Sequence, residues 1–154
     1  MNSKLLLDRS LSAVENHTGP EDLMEIDVRI KLGEFYLSNK EYIKAEGAFQ
    51  KVLTILESAE NPHNDRAAIA LNNLAKLYID QGRYSEAQPL CHRALSLLES
   101  NYQNHPSVAD VLAVLIQLHH QTGDTIEEAK CKQRLEDIHM QQQATSASVA
   151  TAME

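Results

Sequence analysis

The sequence is poor in several residue types, and each scarcity narrows the class of protein. Its 154 residues include no tryptophan, only five glycines and two cysteines, and 5% aromatic residues. So few glycines argue against the many tight turns of an all-β sandwich or barrel. Two cysteines, at positions 91 and 131, are too few for a disulfide framework. We therefore predict a reduced, helical, cytoplasmic protein.

Positive charge and long apolar runs are scarce as well. The chain has 14 Lys and Arg against 22 Asp and Glu, which gives a formal net charge of -8. Nucleic acids and anionic membranes bind clustered cations, so we expect neither as a partner. No apolar run reaches the roughly 18 residues of a membrane span, and residues 5–7 are too short an apolar run for a signal peptide.

An internal repeat is the main feature that the sequence does contain. Residues 32–42 align with residues 74–84 at an offset of 42, and a weaker third copy follows at an offset of 41. The matched positions include Leu32, Tyr36 and Tyr42, then Leu74, Tyr78 and Tyr84, then Leu115, His119 and Thr125. Glu128 and Lys132 replace Ala87 and Cys91 in the third copy, as expected of a terminal repeat whose outer side meets water.

Each copy has the pattern of two helices joined by a short turn. Apolar residues recur at helical spacing, and residues 38–40, 80–82 and 122–124 include types that tolerate a left-handed helix cap. Ser3 is expected to cap another amphipathic helix within 1–17, and the biased segment 141–154 is expected to be disordered. The other predicted helices are 21–38, 41–58, 65–80, 84–100, 106–121 and 124–141.

The repeat resembles the tetratricopeptide repeat, a two-helix unit with a Leu-Gly, Tyr, Ala, Phe, Ala pattern. The matching residues are Leu32, Gly33, Tyr36, Ala45, Phe49 and Val52, then Leu74, Ala75, Tyr78, Gly82, Tyr84, Ala87 and Ala94. The long period and segments 71–78, 86–95 and 105–109 are similar to the kinesin-light-chain subclass. The resemblance implies an all-α, right-handed solenoid of three helix pairs over 21–140, in repeats at 21–60, 65–101 and 106–140.

The resemblance also implies a concave groove, lined by the first helix of each pair, that binds a protein or peptide. Asn72 and Asn73 carry the most weight because an amide can donate to and accept from a peptide backbone. We expect Asn73 and Lys76 to be exposed. The implied groove positions are Asp27, Ile30, Lys31, Glu34, Leu37, Ser38, Ile69, Asn72, Asn73, Lys76, Ile79, Asp80, Asp110, Ala113, Val114, Gln117, His120 and Gln121.

The implied groove lacks the cations of repeat domains that hold acidic chaperone tails. Asp110 and Val114 occupy positions where such domains carry Lys or Arg, and Asp27 adds a negative charge to the first repeat. Lys31 and Asn73 alone do not complete that clamp. A peptide of mixed apolar and polar character, including a basic one, is therefore favoured over an acidic tail.

Chemical motifs are few. The sequence contains no Gly-rich phosphate loop, no Gly-x-Ser-x-Gly elbow and no His-Glu-x-x-His motif. His119 and Cys91 are expected to be buried packing residues, and no catalytic residue, metal ligand or cofactor is predicted. The predicted function is a non-catalytic adaptor or assembly co-factor. The alternatives are a chaperone of a secretion or assembly system built on the same repeat, and a His/Cys metal protein or enzyme.

The apolar N-terminal segment requires a partner surface. Its leucines are expected to cover Ile26, Ile30 and Phe49 at the open edge of the first repeat, or to pair with a second copy as a homodimer.

Overall fold

The computed structural model describes residues 2–16, 23–59, 63–101 and 105–153, which form seven helices and no strand. The predicted ends of the repeat helices agree to within one residue, apart from the first start and the last end. Residues 21 and 22, where the first repeat helix was expected to begin, lie outside the described residues. The helices are α1 Ser3–Glu15, α2 Leu23–Ser38, α3 Tyr42–Ser58, α4 Asn64–Asp80, α5 Tyr84–Asn101, α6 Pro106–Thr122 and α7 Thr125–Ala152.

The helices pack as three antiparallel pairs, α2 with α3, α4 with α5 and α6 with α7. Each pair stacks on the next, because α4 contacts both α2 and α6 while α3 contacts α4 and α5 contacts α6. The central pair is buried most completely, and Leu71, Leu77 and Leu98 are fully excluded from solvent. The side of the stack formed by α2, α4 and α6 is the groove implied by the repeat.

The three turns within the pairs share one hydrogen-bonding pattern. Lys40, Gly82 and Gly123 occupy the same position of the repeat and all have left-handed backbone, with φ of 59°, 73° and 75°. In each turn two successive N–H groups donate to carbonyls of the last turn of the preceding helix, as in the Schellman motif. The predicted left-handed caps are thus confirmed, and Lys40 adopts a conformation that suits glycine better.

Helix α1 occupies the place of the second helix of a preceding repeat. It packs antiparallel to α2, with Lys4 over the ring of Tyr36 and Glu15 paired with Arg29. The repeat offset of 42 extends into α1, because Val14 corresponds to the buried Leu56 and is itself buried. The N-cap is Asn2, whose side chain accepts from the Lys4 N–H, so the assignment of Ser3 as N-cap is wrong.

The residues that α1 was expected to cover are already packed elsewhere. Ile26 and Ile30 belong to a cluster with residues 52, 55 and 56 of α3, and Phe49 packs against Gly33. Leu5 and Leu6 keep 48% and 45% of their surface exposed. The capping role of α1 for this edge stays a prediction.

The disorder expected at 141–154 is wrong as far as Ala152, because α7 continues through this segment. Alanine and glutamine are good helix formers, and no glycine or proline interrupts the segment. Cys131, Leu135 and Ile138 are partly buried against the core, whereas residues 141–153 are exposed throughout. The low burial expected of segment 141–154 is confirmed for its described residues, but low burial did not prevent helix formation.

Candidate peptide-binding groove

The implied groove positions fall into three classes of burial. Asp27, Lys31, Ser38, Asp80, Asp110, Ala113, Gln117, His120 and Gln121 are exposed. Glu34, Leu37, Ile69 and Lys76 are partly exposed, and Ile30, Asn72, Asn73, Ile79 and Val114 are buried. The buried aliphatic positions are core residues, so the apolar contacts available to a ligand among the implied positions reduce to Leu37, Ile69 and the small side chain of Ala113. The expected exposure of Asn73 is also wrong, since 6% of its surface is accessible.

Polar bonds tie α2 to α4 along one side of the groove, which we call the first crevice. Arg66 donates from Nε and Nη2 to the two carboxylate oxygens of Asp27, at 2.8 and 3.0 Å. The Nδ2 of Asn73 donates to Oε1 of Glu34 at 3.4 Å, and Lys31 pairs with the same carboxylate at 2.9 Å. These groups already satisfy one another, so the amide of Asn73 is buried with a hydrogen-bond partner.

Arg66 is a groove residue that is absent from the positions implied by the repeat. The available signal was its position seven residues before Asn73, which places both side chains on one face of α4. A bidentate guanidinium–carboxylate pair fixes two helices in register more strongly than a single charge contact does.

The crevice between α4 and α6, which we call the second crevice, is organised differently. Successive helical residues are about 100° apart, so Asn72 points away from the α2-facing line of Arg66 and Asn73. Ile79 shares the face of Asn72 and lies in the core cluster that contains Val114 of α6. Asn72 is only 5% exposed, and its Oδ1 accepts no hydrogen bond from any described residue.

Charged and polar groups at the rim of the second crevice are also unpaired. Lys76 on α4 and Asp110 and Gln117 on α6 form no ion pair or side-chain hydrogen bond within the described residues. A buried acceptor without a donor costs free energy, whereas the same acceptor bound to a ligand N–H does not. The unpaired acceptor and the unpaired rim charges thus distinguish the second crevice from the first.

Helix α1 borders the groove at its first-repeat end. An open cavity of about 490 Å³ lies between α1 and α2, with Leu6, Leu7 and Phe35 as its apolar surface. Lys31, Glu34 and Ser38 form its polar edge. Helix α2 therefore contacts both α1 and α4.

The candidate reactive groups are placed for packing. Cys91 is fully buried as predicted, and burial raises the pKa of its thiol to about 12. Burial likewise raises the pKa of Cys131, and a protonated thiol is a poor nucleophile. His119 is buried as predicted, with its Nδ1 3.8 Å from Asp124, and His120 pairs with Glu128 at 3.4 Å.

The described residues contain no group of three or more His, Cys, Asp or Glu arranged to hold a metal ion. None of the described helices is both long enough and apolar enough to span a membrane.

Comparison with known families gives one family match. The tetratricopeptide repeat family matches residues 22–90 and again residues 66–139. The two matches together span most of the chain and include α2 to α6 and the first part of α7.

A curated relative resembles part of the chain. Protein KINESIN LIGHT CHAIN-RELATED 3 of Arabidopsis thaliana is 34% identical over 74 residues, which are 48% of this chain and 11% of that protein. The chain therefore corresponds to a small part of that relative's length.

The solved structures resemble the chain in fold. BtubC (BKLC) from P. vanneervenii has a TM-score of 0.77 at 18% identity, covering 91% of this chain and 56% of its own. A Podosopora anserina protein described as a kinesin light chain with nearly identical repeats has a TM-score of 0.70 at 17% identity, covering 92% of this chain and 67% of its own. These matches confirm the resemblance and the α-solenoid fold drawn from the sequence.

Proposed function

The chain belongs to the tetratricopeptide repeat family, and on that premise we propose that it binds a peptide segment of a protein partner in its groove. Repeats of this family generally mediate protein–protein interaction. The observation that supports the proposal for this chain is the Oδ1 of Asn72, a buried acceptor without a donor among the described residues. An extended peptide backbone presents N–H groups of the kind that this oxygen lacks.

The proposal assigns roles to three groups in the groove. Asn72 accepts from the peptide backbone, Lys76 binds a carbonyl or carboxylate, and the partly exposed Ile69 and Leu37 contact apolar side chains. Asn73 acts indirectly, because its amide is engaged with Glu34 and holds α2 against α4. We assign the protein the role of a non-catalytic adaptor as part of the same proposal.

Replacing Asn72 by leucine tests this assignment. Peptides that bind the purified full chain are first selected from a displayed random library, and their dissociation constants are measured with both proteins. We expect Asn72→Leu to weaken selected peptides about tenfold, because one buried hydrogen bond to the ligand is lost. The melting temperature should stay equal or rise, since no hydrogen bond from a described residue to Oδ1 is removed.

Gln88→Leu on α5 is the matched control. Gln88 is an exposed amide on a second helix, away from the groove helices, so peptide affinity should not change. Equal affinities for wild type and Asn72→Leu, or a library without any binder, would contradict the proposed function.

The cellular setting and the oligomeric state belong to the same proposal. We assign the protein to a reducing compartment such as the cytoplasm, in keeping with its buried free thiol at Cys91.

The half-exposed Leu5 and Leu6 make α1 the surface on which a second copy would dock. Size-exclusion chromatography with light scattering on wild type and Leu5→Lys/Leu6→Lys tests this: a mass that does not change on substitution excludes a homodimer through α1.

A further inference from the structure

Helix α1 lies on α2 in the register that α3 has on α4. The Nζ of Lys4 lies 5.7 Å from the ring centroid of Tyr36, and the hydroxyl of Tyr78 donates to Oε1 of Glu46 at 2.7 Å. Both contacts join residues 32 positions apart, and the repeat offset of 42 carries the first pair onto the second. By these contacts α1 is the second helix of a half repeat.

A complete repeat covers its second helix with its first. Helix α2 contacts both its partner α3 and the next first helix, α4. Helix α1 has no such cover, because its backbone contacts α2 alone among the described helices. The open cavity of about 490 Å³ between α1 and α2 lies on this uncovered side, with Leu6, Leu7 and Phe35 as its apolar surface.

The positions that line this cavity are buried where a first helix is present. Leu7 corresponds to Phe49 and Cys91 of the first two complete repeats, and Phe35 corresponds to Leu77 of the second. Phe49, Cys91 and Leu77 have none of their surface accessible, whereas Leu7 and Phe35 are partly exposed. These two residues lack a helix in the place that α2 takes on α3 and α4.

The charge that suits such a helix follows from the contact between α2 and α4. Glu34 of α2 accepts a hydrogen bond from Nδ2 of Asn73 at 3.4 Å. The residue of α2 that corresponds to Asn73 is Lys31, whose side chain is 68% exposed and pairs with Glu34 of its own helix. A helix that packed on α1 and α2 in the same way would direct the residue corresponding to Glu34 toward Lys31. A carboxylate at that point would meet a cation.

The size of the neighbouring contact residue is also specified. Phe49 of α3 lies against Gly33 of α2, and a Cβ at Gly33 would come within 2.6 Å of the ring. Leu7 of α1 corresponds to Phe49, so the residue opposite Leu7 has to be small, as Gly33 is and as Ala75 is in the next repeat. This small residue directly precedes the acidic one.

From these contacts we propose that the cavity between α1 and α2 binds an amphipathic helix of a partner protein, antiparallel to α1. Its apolar side packs on Leu6, Leu7 and Phe35, and it carries a glycine or alanine followed by an acidic residue that pairs with Lys31. Helices that bind in grooves present apolar residues at helical spacing in this way. The inference goes beyond the proposed peptide binding at Asn72, because it assigns a second surface and a helical partner.

A second copy of this chain offers a poorer match. The stretch of α7 that extends past the core, residues 141–152, contains no acidic residue to pair with Lys31. A homodimer through Leu5 and Leu6 of α1 would cover part of the same cavity and exclude the partner helix. The mass of the chain in solution is therefore part of the test.

The test uses displayed peptides built on the sequence of α2, Leu23–Ser38, because α2 fills the equivalent place on α3 and α4. Three libraries keep Gly33 and carry Glu, Ala or Lys at position 34, while the other positions vary within their polar or apolar class. We expect the full chain to retain the Glu library about fivefold better than the Lys library, with the Ala library between them.

Two substitutions in the chain locate the site, each with a matched control. Lys31→Glu should invert the preference between the Glu and Lys libraries. Lys130→Glu on α7 should not, although Lys130 is equally exposed and pairs with an acidic residue three positions away, as Lys31 does. Leu6→Lys should weaken the selected helices about tenfold, whereas Ile43→Lys on α3, at a residue that is 88% exposed, should leave them unchanged.

Circular dichroism verifies that each variant is folded, and light scattering gives the mass of the free chain. The inference is overturned by the absence of any binder, by equal shifts from Lys31→Glu and Lys130→Glu, or by binding that Leu6→Lys does not weaken. A dimer that Leu6→Lys converts to a monomer would assign the cavity to a second copy and overturn it as well. Asn72→Leu should leave these helices bound, so failure of this inference and failure of the proposed function are observed separately; helices released by Asn72→Leu would overturn the inference.

Discussion

The first and second repeats fill one position of the fold with different pairs of side chains. In the first repeat Gly33 lies against the ring of Phe49, and a Cβ built at Gly33 would come within 2.6 Å of the ring atom Cε1. In the second repeat the corresponding residues, 42 positions later, are Ala75 and Cys91. Phe49, Ala75 and Cys91 are all fully buried.

The comparison shows that the repeat conserves the space between its two helices rather than the residues that fill it. A ring opposite no side chain and a thiol opposite a methyl group are two solutions to one packing problem. Interiors are packed so closely that either solution works only as a pair. Exchanging single members between the repeats should therefore be costly, and exchanging both members should be tolerated.

Removing the ring should have the largest effect. Phe49→Ala leaves a cavity opposite a residue that has no side chain to fill it, and we expect a loss of about 3–5 kcal/mol in unfolding free energy. Cys91→Ala at the same position of the second repeat removes one sulfur atom and should cost about 1 kcal/mol. Urea unfolding followed by circular dichroism measures both, and equal losses in the two repeats would contradict the comparison.

Adding a methyl group at Gly33 should have an intermediate effect. Phe49 is fully buried and its ring has no solvent-facing alternative, so Gly33→Ala should overpack the interface at a cost of about 1–3 kcal/mol. In the background of Phe49→Cys, which reproduces the pair of the second repeat, the same substitution should be neutral or stabilising. The coupling energy of this double-mutant cycle measures the compensation directly.

Gly47→Ala is the control for that cycle. Gly47 lies within α3 and a Cβ there meets no atom within 4 Å, so the substitution should gain about 0.5–1 kcal/mol from helix propensity in either background. A cycle in which Gly33→Ala behaves like Gly47→Ala would show that the two helices are not in contact at this point.

The fold was readable from the sequence because its information is local and repeated. Helix ends follow from turn residues and from Pro106, which begins α6 after the cap formed by His105. The length of α7 was not readable by the same means, since the composition that suggested disorder is also compatible with an isolated helical extension. The half repeat in α1 has a weaker signal in the sequence, because at the offset of 42 Val14 falls on Leu56 while no matched tyrosine or glycine accompanies the pair.

The groove could be predicted only in part. Helix register indicates which side of a helix a residue faces, but it does not indicate how deeply the residue is buried. The register placed Asn72 and Asn73 on the groove side of α4, yet both are buried by the approach of the neighbouring helices. Which amide is satisfied depends on a side chain from another helix, Glu34 for Asn73 and no described residue for Asn72. Such pairings arise from three-dimensional proximity and leave no trace in residue spacing.

The turns of the two repeats provide the last and smallest test. Lys40 and Gly82 occupy one position, with φ of 59° and 73°, and both N–H groups donate at 2.9 Å to the carbonyl three residues earlier. Left-handed backbone costs a non-glycine residue about 1 kcal/mol, a penalty that Gly82 avoids. Lys40 is exposed and makes no ion pair within the described residues, so its side chain offers no evident compensation. We therefore expect Lys40→Gly to stabilise the protein by about 0.5–1 kcal/mol, because relief of the strain exceeds the entropy that glycine adds to the unfolded chain. Gly82→Ala should do the reverse by a similar amount, and a loss of stability in both variants would mean that the two turns are not equivalent.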